Sequence, residues 1–236
     1  MNRPPLLSLQ NLRAWYRPGK HILTDFSIEI NAHEAIGLIG LNGAGKTTFL
    51  NLLSGLHPHF HADQILVDGC ESTFRNPDFK LRRYTVFAED HSFQYFTFWE
   101  YLSYVFAAYG QRIPDISCLV EGFHFGEYTE MLLKDLSMGN QKKAFLITAF
   151  ALKPELLLLD EPVNGLDFAS TEYLYQLIAG YKEHGTVLFS SHILESVTLT
   201  SDRVLVLENG KIQKNFEQEE IDTAKIREAL HEETHL

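Results

Sequence analysis

The sequence predicts an α/β fold with a mainly parallel sheet flanked by helices, and three stretches carry that prediction. The first is a short apolar run at residues 34–39, followed by a glycine-rich segment and then by apolar residues at helical spacing. The second is a run of four leucines at residues 156–159 between charged ends, which is typical of a strand buried on both faces. The third is the alternation of strand-like and helix-like segments between residues 171 and 207. Because neighbouring parallel strands need a crossover, usually a helix, this alternation favours right-handed connections in a parallel sheet.

Composition disfavours several classes of protein. The chain has 236 residues, 45% of them hydrophobic, enough for one large α/β domain with an attached lobe or for two small domains. Its formal net charge is −11 and it has no long basic run, which disfavours nucleic acid as the main partner. The two cysteines form no CxxC motif, which fits a reducing compartment. Neither a signal-peptide core nor 18 consecutive apolar residues occur, so we expect any membrane role to come through a partner.

The chain begins with two predicted strands, at residues 6–12 and 22–30, connected through a turn at residues 17–20. Trp15 and Tyr16 stand just before that turn. An aromatic side chain near a bound nucleotide can stack on the base, but it can also simply pack at the end of a strand. From spacing alone, packing is the favoured interpretation.

The glycine-rich segment at residues 40–48 has a glycine, four free positions and then Gly45, Lys46 and Thr47, a pattern typical of phosphate-binding loops. In such a loop the backbone N–H groups turn towards a polyphosphate, and the N-terminus of the next helix adds a positive dipole. Lys46 would reach the β- and γ-phosphates, and the Thr47 hydroxyl would bind Mg²⁺. A turn that binds nothing is disfavoured by the strand before it and the helix after it.

Three histidines, His57, His59 and His61, follow at alternating positions. No carboxylate or cysteine completes a ligand set at metal-binding spacing, so we expect solvent-exposed loop histidines. Two further strands are predicted at residues 64–69 and 83–88.

Residues 90–110 are rich in aromatic side chains. Some keep helical spacing, such as Trp99, Leu102 and Phe106, but the aromatic residues lie on more than one face. Such a helix is either buried in its own domain or docked onto another protein, and the spacing leaves both interpretations open.

The leucine run ends in two acids, Asp160 and Glu161. Ligands of open parallel sheets bind beyond the carboxyl ends of the strands. With a phosphate-binding loop upstream, this is where a Mg²⁺-binding Asp belongs, and the Glu after it is placed to polarise an attacking water. His192 follows another predicted strand, at residues 186–191, and is a candidate γ-phosphate contact, although a lone histidine there is more often structural.

Taken in order, these motifs resemble the ATP-binding subunits of ABC transporters over roughly residues 6–215. The resemblance rests on Tyr16, residues 40–48, 136–140, 156–161 and 164–167, and His192. It implies a single ABC ATPase domain with a P-loop core, an N-terminal antiparallel β subdomain and an inserted α-helical lobe. The core and β subdomain would occupy about 1–89 and 153–215, the lobe about 90–152, and a C-terminal tail 216–236, which we expect to be a charged helix or a frayed end.

The resemblance also implies a role for each matching residue, with ATP and Mg²⁺ as cofactors. Tyr16 would stack on adenine, and the phosphates would be held by Asn42, Gly43, Ala44, Gly45, Lys46, Thr47 and Thr48. Thr47 would bind Mg²⁺, and Asp160 would contact the ion directly or through one of its ligands. Glu161 would be the general base, and His192 would sense the γ-phosphate. Ser137 and Gly139 would open a signature helix that faces the ATP of the opposite subunit. Each site would then be completed in trans, with residues 164–167 at the subunit contact.

The signature departs from the family pattern, because Met138 and Asn140 stand where Gly and Gln are usual. Ser137 and Gly139 remain, so we expect a retuned site rather than an inactive one. Farther on, Gln141, Lys142 and Lys143 follow where the family often has Gln-Arg, which is a minor departure, although lysine lacks the bidentate geometry of arginine.

A larger departure lies after the strand that is predicted to end at Ala88. The family usually has a Gln there, whereas this chain has Glu89. A carboxylate keeps an acceptor for Mg²⁺, loses the amide donor and adds negative charge beside the γ-phosphate. A shift in register would instead give the role to Gln94.

The resemblance implies an ATP-hydrolysing subunit that powers transport through a separate transmembrane permease, peripheral on the cytoplasmic face of the membrane. Its partners would be that permease and a second ABC ATPase subunit, in a homodimer or a heterodimer, and some aromatic residues of 93–109 would contact the permease. The signature and the short tail favour an exporter. Two alternatives stay open: a soluble ABC-type ATPase acting on DNA or ribosomes, and a slow regulatory nucleotide-binding protein, which Glu89 and the altered signature keep in consideration.

Overall fold

In a computed structural model, which describes residues 3–231, the chain folds into two sheets and a set of flanking helices. The strands are β1 (Leu7–Arg17), β2 (Lys20–Ile30), β3 (Ala35–Ile39), β4 (Phe60–His61), β5 (Gln64–Val67), β6 (Cys70–Glu71), β7 (Arg83–Val86), β8 (Leu156–Leu159), β9 (Thr186–Ser191), β10 (Arg203–Glu208) and β11 (Lys211–Glu217). The helices are α1 (Lys46–Leu53), α2 (Pro77–Leu81), α3 (Phe98–Ala108), α4 (Ser117–Gly122), α5 (Met138–Leu152), α6 (Phe168–Gly180), α7 (Leu194–Thr200) and α8 (Thr223–His231).

The N-terminal sheet is antiparallel, with the order β2-β1-β5-β6 and with β4 paired to β1. Its first two strands form a hairpin across the predicted turn, where Gly19 has a φ of 79°, a conformation that costs glycine little. Strand β1 is longer than the predicted strand at residues 6–12, because its bulged pairing with β2 carries it on through Trp15 and Tyr16. Tyr16 therefore lies on a strand.

The second sheet has the order β11-β10-β3-β9-β8-β7, and only its β10–β11 pair is antiparallel within the described part of the chain. Strands β3 and β8 are buried along their whole length, as their unbroken apolar sequences predict. Because β3, β8 and β9 are parallel neighbours, their carboxyl ends meet at one edge. The predicted α/β fold with an antiparallel β subdomain and a helical lobe is confirmed.

The aromatic stretch is partly core and partly surface. Helix α3 begins with a capping box, in which Thr97 and Glu100 satisfy each other's backbone N–H groups. One face of α3 packs into the core through Phe98, Tyr101, Leu102, Val105 and Phe106. Tyr95, Trp99 and Tyr104 are exposed on the other side. The core interpretation therefore applies to the buried face, and contact of the exposed side chains with another protein stays a prediction.

Strand β11 lies at the sheet edge and runs into the predicted C-terminal tail, which then forms helix α8. Ile226 and Ala229 are buried against the core, so α8 is an amphipathic helix held by its apolar side. Residues 232–236 of the predicted tail lie outside the described residues. Among the helices of residues 3–231, none has the length and apolar character needed to cross a membrane.

Candidate nucleotide-binding site

The loop at residues 40–45 connects the buried strand β3 to helix α1 at the carboxyl edge of the sheet. Gly43 and Gly45 have φ values of 88° and 110°, in the left-handed region that favours glycine. A Cβ on Gly45 would lie 2.7 Å from the Leu23 side chain, so the loop packs closely on the β subdomain. Helix α1 begins at Lys46 without a side-chain cap, which leaves the N–H groups of its first turn without a side-chain acceptor. Loop and helix start thus form a concentration of N–H donors suited to an anion.

Lys46 is directed back over this loop. Its side chain is almost fully buried, and its Nζ donates to the carbonyl oxygen of Gly40 at 2.7 Å. The same Nζ lies 3.7 Å from Oε1 of Glu161, so the ammonium group stands between the loop and the acid that follows β8. The structure therefore brings the predicted cation and the predicted base together.

The two acids after β8 differ in their surroundings. Asp160 is 1% exposed, and its Oδ1 accepts a hydrogen bond from the Ser190 hydroxyl at 2.6 Å. The backbone N–H of Glu161 donates to the same hydroxyl oxygen at 2.9 Å, with Glu161 itself at a φ of 45°. Oε2 of Glu161 lies 2.7 Å from Nδ1 of His192, just beyond β9. Ser190 thus orients both acids, a role that the sequence interpretation missed although serine stands two residues before His192 at the end of a predicted strand.

Tyr16 reaches the same side of the loop from β1. Its hydroxyl is 3.3 Å from Oγ1 of Thr48, and the residue is 55% exposed. The ring of His57 contacts Tyr16 edge-on, with centroids 4.7 Å apart, and Nε2 of His57 is 3.1 Å from the carbonyl oxygen of Trp15. The expectation of a solvent-exposed His57 is wrong, because this histidine is 4% exposed and packs beneath Tyr16. His59 and His61 are exposed, as expected.

Glu89 lies where the segment after β7 meets the loop. A cavity of about 500 Å³ is lined by Thr47, Asp160, Glu89, Asp90 and His91, among others. Gln94, the alternative candidate, is not part of that lining and instead accepts a hydrogen bond from the N–H of Lys134 at its carbonyl oxygen, 2.9 Å away. The oxygen-bearing side chains of Thr47, Asp160 and Glu89 therefore share one cavity, and oxygen ligands are those that Mg²⁺ prefers.

The signature residues begin helix α5 at a different place. Ser137 caps the helix, accepting from the N–H of Asn140 at 3.2 Å. A Cβ on Gly139 would lie only 2.1 Å from the carbonyl oxygen of Gly165, so the helix start rests directly on the backbone of residues 164–167. No hydrogen bond or ion pair within residues 3–231 joins Ser137 or Gly139 to the loop at residues 40–48. The chain's own fold thus does not combine these two residues with its phosphate-binding loop.

Two lysines of α5, which the sequence interpretation treated as a minor departure, make polar contacts with other elements. Lys143 Nζ lies 2.5 Å from Oδ2 of Asp167. The hydrogen bond from Lys143, and then the N–H of Ser170, hold the pKa of Asp167 well below its usual value. Lys142 Nζ donates to the carbonyl oxygens of Phe87 and Ala88. Burial lowers the pKa of Lys142 to about 8, against the opposing effect of nearby carboxylates.

Comparisons with known proteins agree with this geometry. The family model described as "ABC transporter" matches residues 23–164, more than half of the chain. A putative ABC transporter ATP-binding protein, AlbC of Bacillus subtilis, is 35% identical over 217 residues, covering 89% of this chain and 90% of AlbC. A solved structure of the ATP-binding subunit of an ABC transporter superimposes with a TM-score of 0.82 at 24% identity, covering 95% of this chain and 94% of the other. A dimeric ATP-binding cassette with bound ADP and Pi superimposes with a TM-score of 0.79 at 19% identity, over 90% and 98% of the two chains.

Proposed function

Because this chain belongs to the ABC transporter family, as an ATP-binding subunit whose ATP hydrolysis energises transport through a membrane permease, we propose that Glu161, His192 and Lys46 are its catalytic residues. The observation that carries the proposal is the placement of Glu161. Its carboxylate lies between His192 Nδ1, at 2.7 Å, and Lys46 Nζ, at 3.7 Å, at the edge where the phosphate-binding loop begins. Glu161 accepts the proton of the attacking water, and His192 holds the carboxylate in position.

ATP binds on the loop through a set of backbone donors and one cation. The backbone N–H groups of Asn42, Gly43, Ala44, Gly45, Lys46, Thr47 and Thr48 surround the phosphates, as the left-handed glycines and the uncapped start of α1 support. The Lys46 ammonium exchanges its contact with the Gly40 carbonyl for the β- and γ-phosphates. The exposed face of the Tyr16 ring stacks on adenine, with His57 packed against its edge.

Thr47, Asp160 and Glu89 would hold Mg²⁺, which neutralises phosphate charge when it is bound. All three line one cavity and offer hydroxyl or carboxylate oxygens. The hydrogen bond from Ser190 leaves the second oxygen of Asp160 for the ion. This arrangement favours Glu89 over Gln94 for the position beside the γ-phosphate.

ABC ATPase subunits dimerise and pair with permease components, and we propose both for this chain. Ser137 and Gly139 would contact the γ-phosphate held by the opposite subunit, which is either a second copy or a related ABC ATPase subunit. Met138, 68% exposed at the start of α5, is directed outward as a residue of that contact would be. The exposed aromatic residues Tyr95, Trp99 and Tyr104 are the proposed face towards the permease. With that contact the subunit would be peripheral on the cytoplasmic face of the membrane. Export stays the predicted direction.

The test is the behaviour of Glu161→Gln, with Glu155→Gln as the matched control at the other end of β8. Light scattering with and without ATP and Mg²⁺ should show an ATP-dependent dimer for Glu161→Gln, and its turnover should fall by about 100-fold or more, because the water loses its base. Glu155→Gln should turn over ATP like the wild type. Hydrolysis by Glu161→Gln at the wild-type rate would contradict the assignment of the base, and an absence of ATPase activity in the wild type would favour the regulatory alternative.

A further inference from the structure

Lys142 lies in the first part of α5 and is buried, with 4% of its surface exposed. Its Nζ donates to the carbonyl oxygens of Phe87 and Ala88, at 2.6 and 2.7 Å. These are the carbonyl groups that follow β7, at the carboxyl edge of the sheet. A helix at the end of the predicted lobe is thus hydrogen-bonded to the backbone that leaves the sheet after β7.

That backbone carries two acids directly beyond the hydrogen-bonded carbonyl groups. Glu89 and Asp90 line the cavity of about 500 Å³ that also contains Thr47 and Asp160. They also line a second cavity, of about 170 Å³, whose wall includes Lys142 itself. Glu89 and Asp90 therefore lie between two cavities: the larger one contains the candidate Mg²⁺ ligands, and the smaller one is lined by Lys142.

A buried ammonium group is costly unless negative charge and hydrogen bonds compensate for it. Here the two carbonyl groups supply hydrogen bonds, and four carboxylates stabilise the charged form of Lys142: those of Asp160, Asp90, Glu161 and Glu89. The attraction is mutual. The carboxylates tolerate one another, and an incoming polyphosphate, better when a positive charge is held among them.

We propose that Lys142 is a positioning residue for ATP hydrolysis. Its ammonium group holds the 87–90 segment at the edge of the sheet and supplies the charge that allows Glu89 to stand beside the phosphates. Lys142 acts through Glu89 and touches neither ATP nor the attacking water. The inference rests on the proposed function. It adds a charge partner for Glu89, the larger of this chain's departures from its family.

The experiment is a double-mutant cycle in the full chain. Lys142→Met removes the charge and the donors, whereas Lys142→Gln removes the charge but keeps an amide donor for the carbonyl groups. Each is made with Glu89 and with Glu89→Gln, and kcat, KM for ATP and the Mg²⁺ concentration for half-maximal rate are measured at constant ionic strength. Lys80→Met, which removes an exposed lysine of α2, controls for the change in net charge.

We expect Lys142→Met to lower kcat by about tenfold or more in the chain with Glu89, since a misplaced, uncompensated carboxylate raises the barrier. In the Glu89→Gln background the same substitution should lower kcat by about threefold or less, because the negative charge of Glu89 that Lys142 balances is no longer present. In the chain with Glu89, the kcat of Lys142→Gln should lie between those of Lys142→Met and the wild type. The kcat of Lys80→Met should match that of the wild type within about twofold.

An equal loss of kcat in both backgrounds would overturn the proposal, because Lys142 would then act independently of Glu89. A Lys142→Met protein as active as Lys80→Met would also overturn it. If Lys142→Met does not fold, Lys142→Gln carries the comparison alone. These failures differ from that of the proposed function, which would show as wild-type activity that survives Glu161→Gln.

Discussion

Replacing Asp167 with Ala should destabilise the protein more than removing the lysine to which it is paired. Asp167 caps helix α6, where its Oδ1 accepts from the N–H of Ser170 at 2.9 Å and its Oδ2 accepts from the Ser170 hydroxyl at 3.0 Å. Oδ2 also binds Nζ of Lys143 at 2.5 Å. The two partners differ in burial, since the Lys143 side chain is 7% exposed and that of Asp167 is 54% exposed. Loss of the Asp167 carboxylate leaves the buried Lys143 ammonium group without its partner, whereas loss of Lys143 leaves a carboxylate that water can solvate.

The expected magnitudes follow from these contacts. Losing the cap costs about 1 kcal/mol of unfolding free energy. Losing a charge-assisted hydrogen bond costs about 1.5 kcal/mol, the low end of its range, because Asp167 is half exposed. Asp167→Ala loses both contributions and should therefore cost about 2.5 kcal/mol, whereas Lys143→Met loses only the hydrogen bond and should cost about 1.5 kcal/mol. For a chain of this size, these values correspond to decreases in Tm of about 5–10 °C and about 3–6 °C.

The assay is thermal and urea unfolding without nucleotide, so that losses of ligand binding do not enter. Asp167→Asn keeps an acceptor for the cap, so its loss of unfolding free energy should lie between those of Asp167→Ala and Lys143→Met. Asp115→Ala is the matched control, because Asp115 also accepts from a serine N–H and hydroxyl at the start of a helix, α4, and lies on an exposed surface. It should lower Tm less than Asp167→Ala. A Lys143→Met protein destabilised as much as Asp167→Ala would refute the reasoning from burial.

The same pair predicts a pH dependence. Because the folded-state pKa of Asp167 is lowered, its ionised form contributes stability that is fully present above its unfolded pKa of about 3.9. This contribution is lost as the pH falls further and the carboxylate takes up a proton. The difference in urea midpoint between the wild type and Asp167→Asn should therefore be full at pH 7 and shrink below about pH 4.

Three further predictions concern the nucleotide site. Gly139→Ala places a Cβ at 2.1 Å from the Gly165 carbonyl oxygen, so turnover should fall by about tenfold or more while binding of a fluorescent ATP analogue changes little; equal losses of binding and turnover would speak against it. Tyr16→Ala should raise KM for ATP by about tenfold, and Tyr16→Phe, which keeps the ring, by about threefold or less; similar KM values for both would contradict stacking. Asp160→Asn should raise the Mg²⁺ concentration for half-maximal rate by about tenfold or more, and EDTA should stop wild-type turnover; an unchanged Mg²⁺ requirement would exclude Asp160 as a ligand.

Several features were predicted from short stretches because their physics is local. The loop before α1 needs glycine at positions of positive φ, and such positions show directly in the order of residues. Likewise the four leucines of β8 require a strand buried on both faces, and the strand ends where Asp160 begins. The fold class and the ATPase function of the family are confirmed. The roles of the individual site residues stay predictions.

Other features were not predicted, because each depends on residues that are far apart in the chain. His57 was expected in solvent, yet strand β1 brings Trp15 and Tyr16 over it. Ser190 is 30 positions along the sequence from Asp160, to which it donates a hydrogen bond. The residue pattern of neither strand predicts this contact.

By itself, the sequence determined the phosphate-binding loop, the buried strands and the acids at their carboxyl ends, because glycine conformation, apolar periodicity and strand polarity act over a few residues. Only the tertiary structure decided what each polar side chain touches. Lys142 is 55 residues from Phe87, and one unremarkable lysine among 20 basic residues becomes a buried charge only when α5 packs against β7. The physical reason is that burial and hydrogen-bond partners are properties of packed elements, so they do not exist until those elements meet.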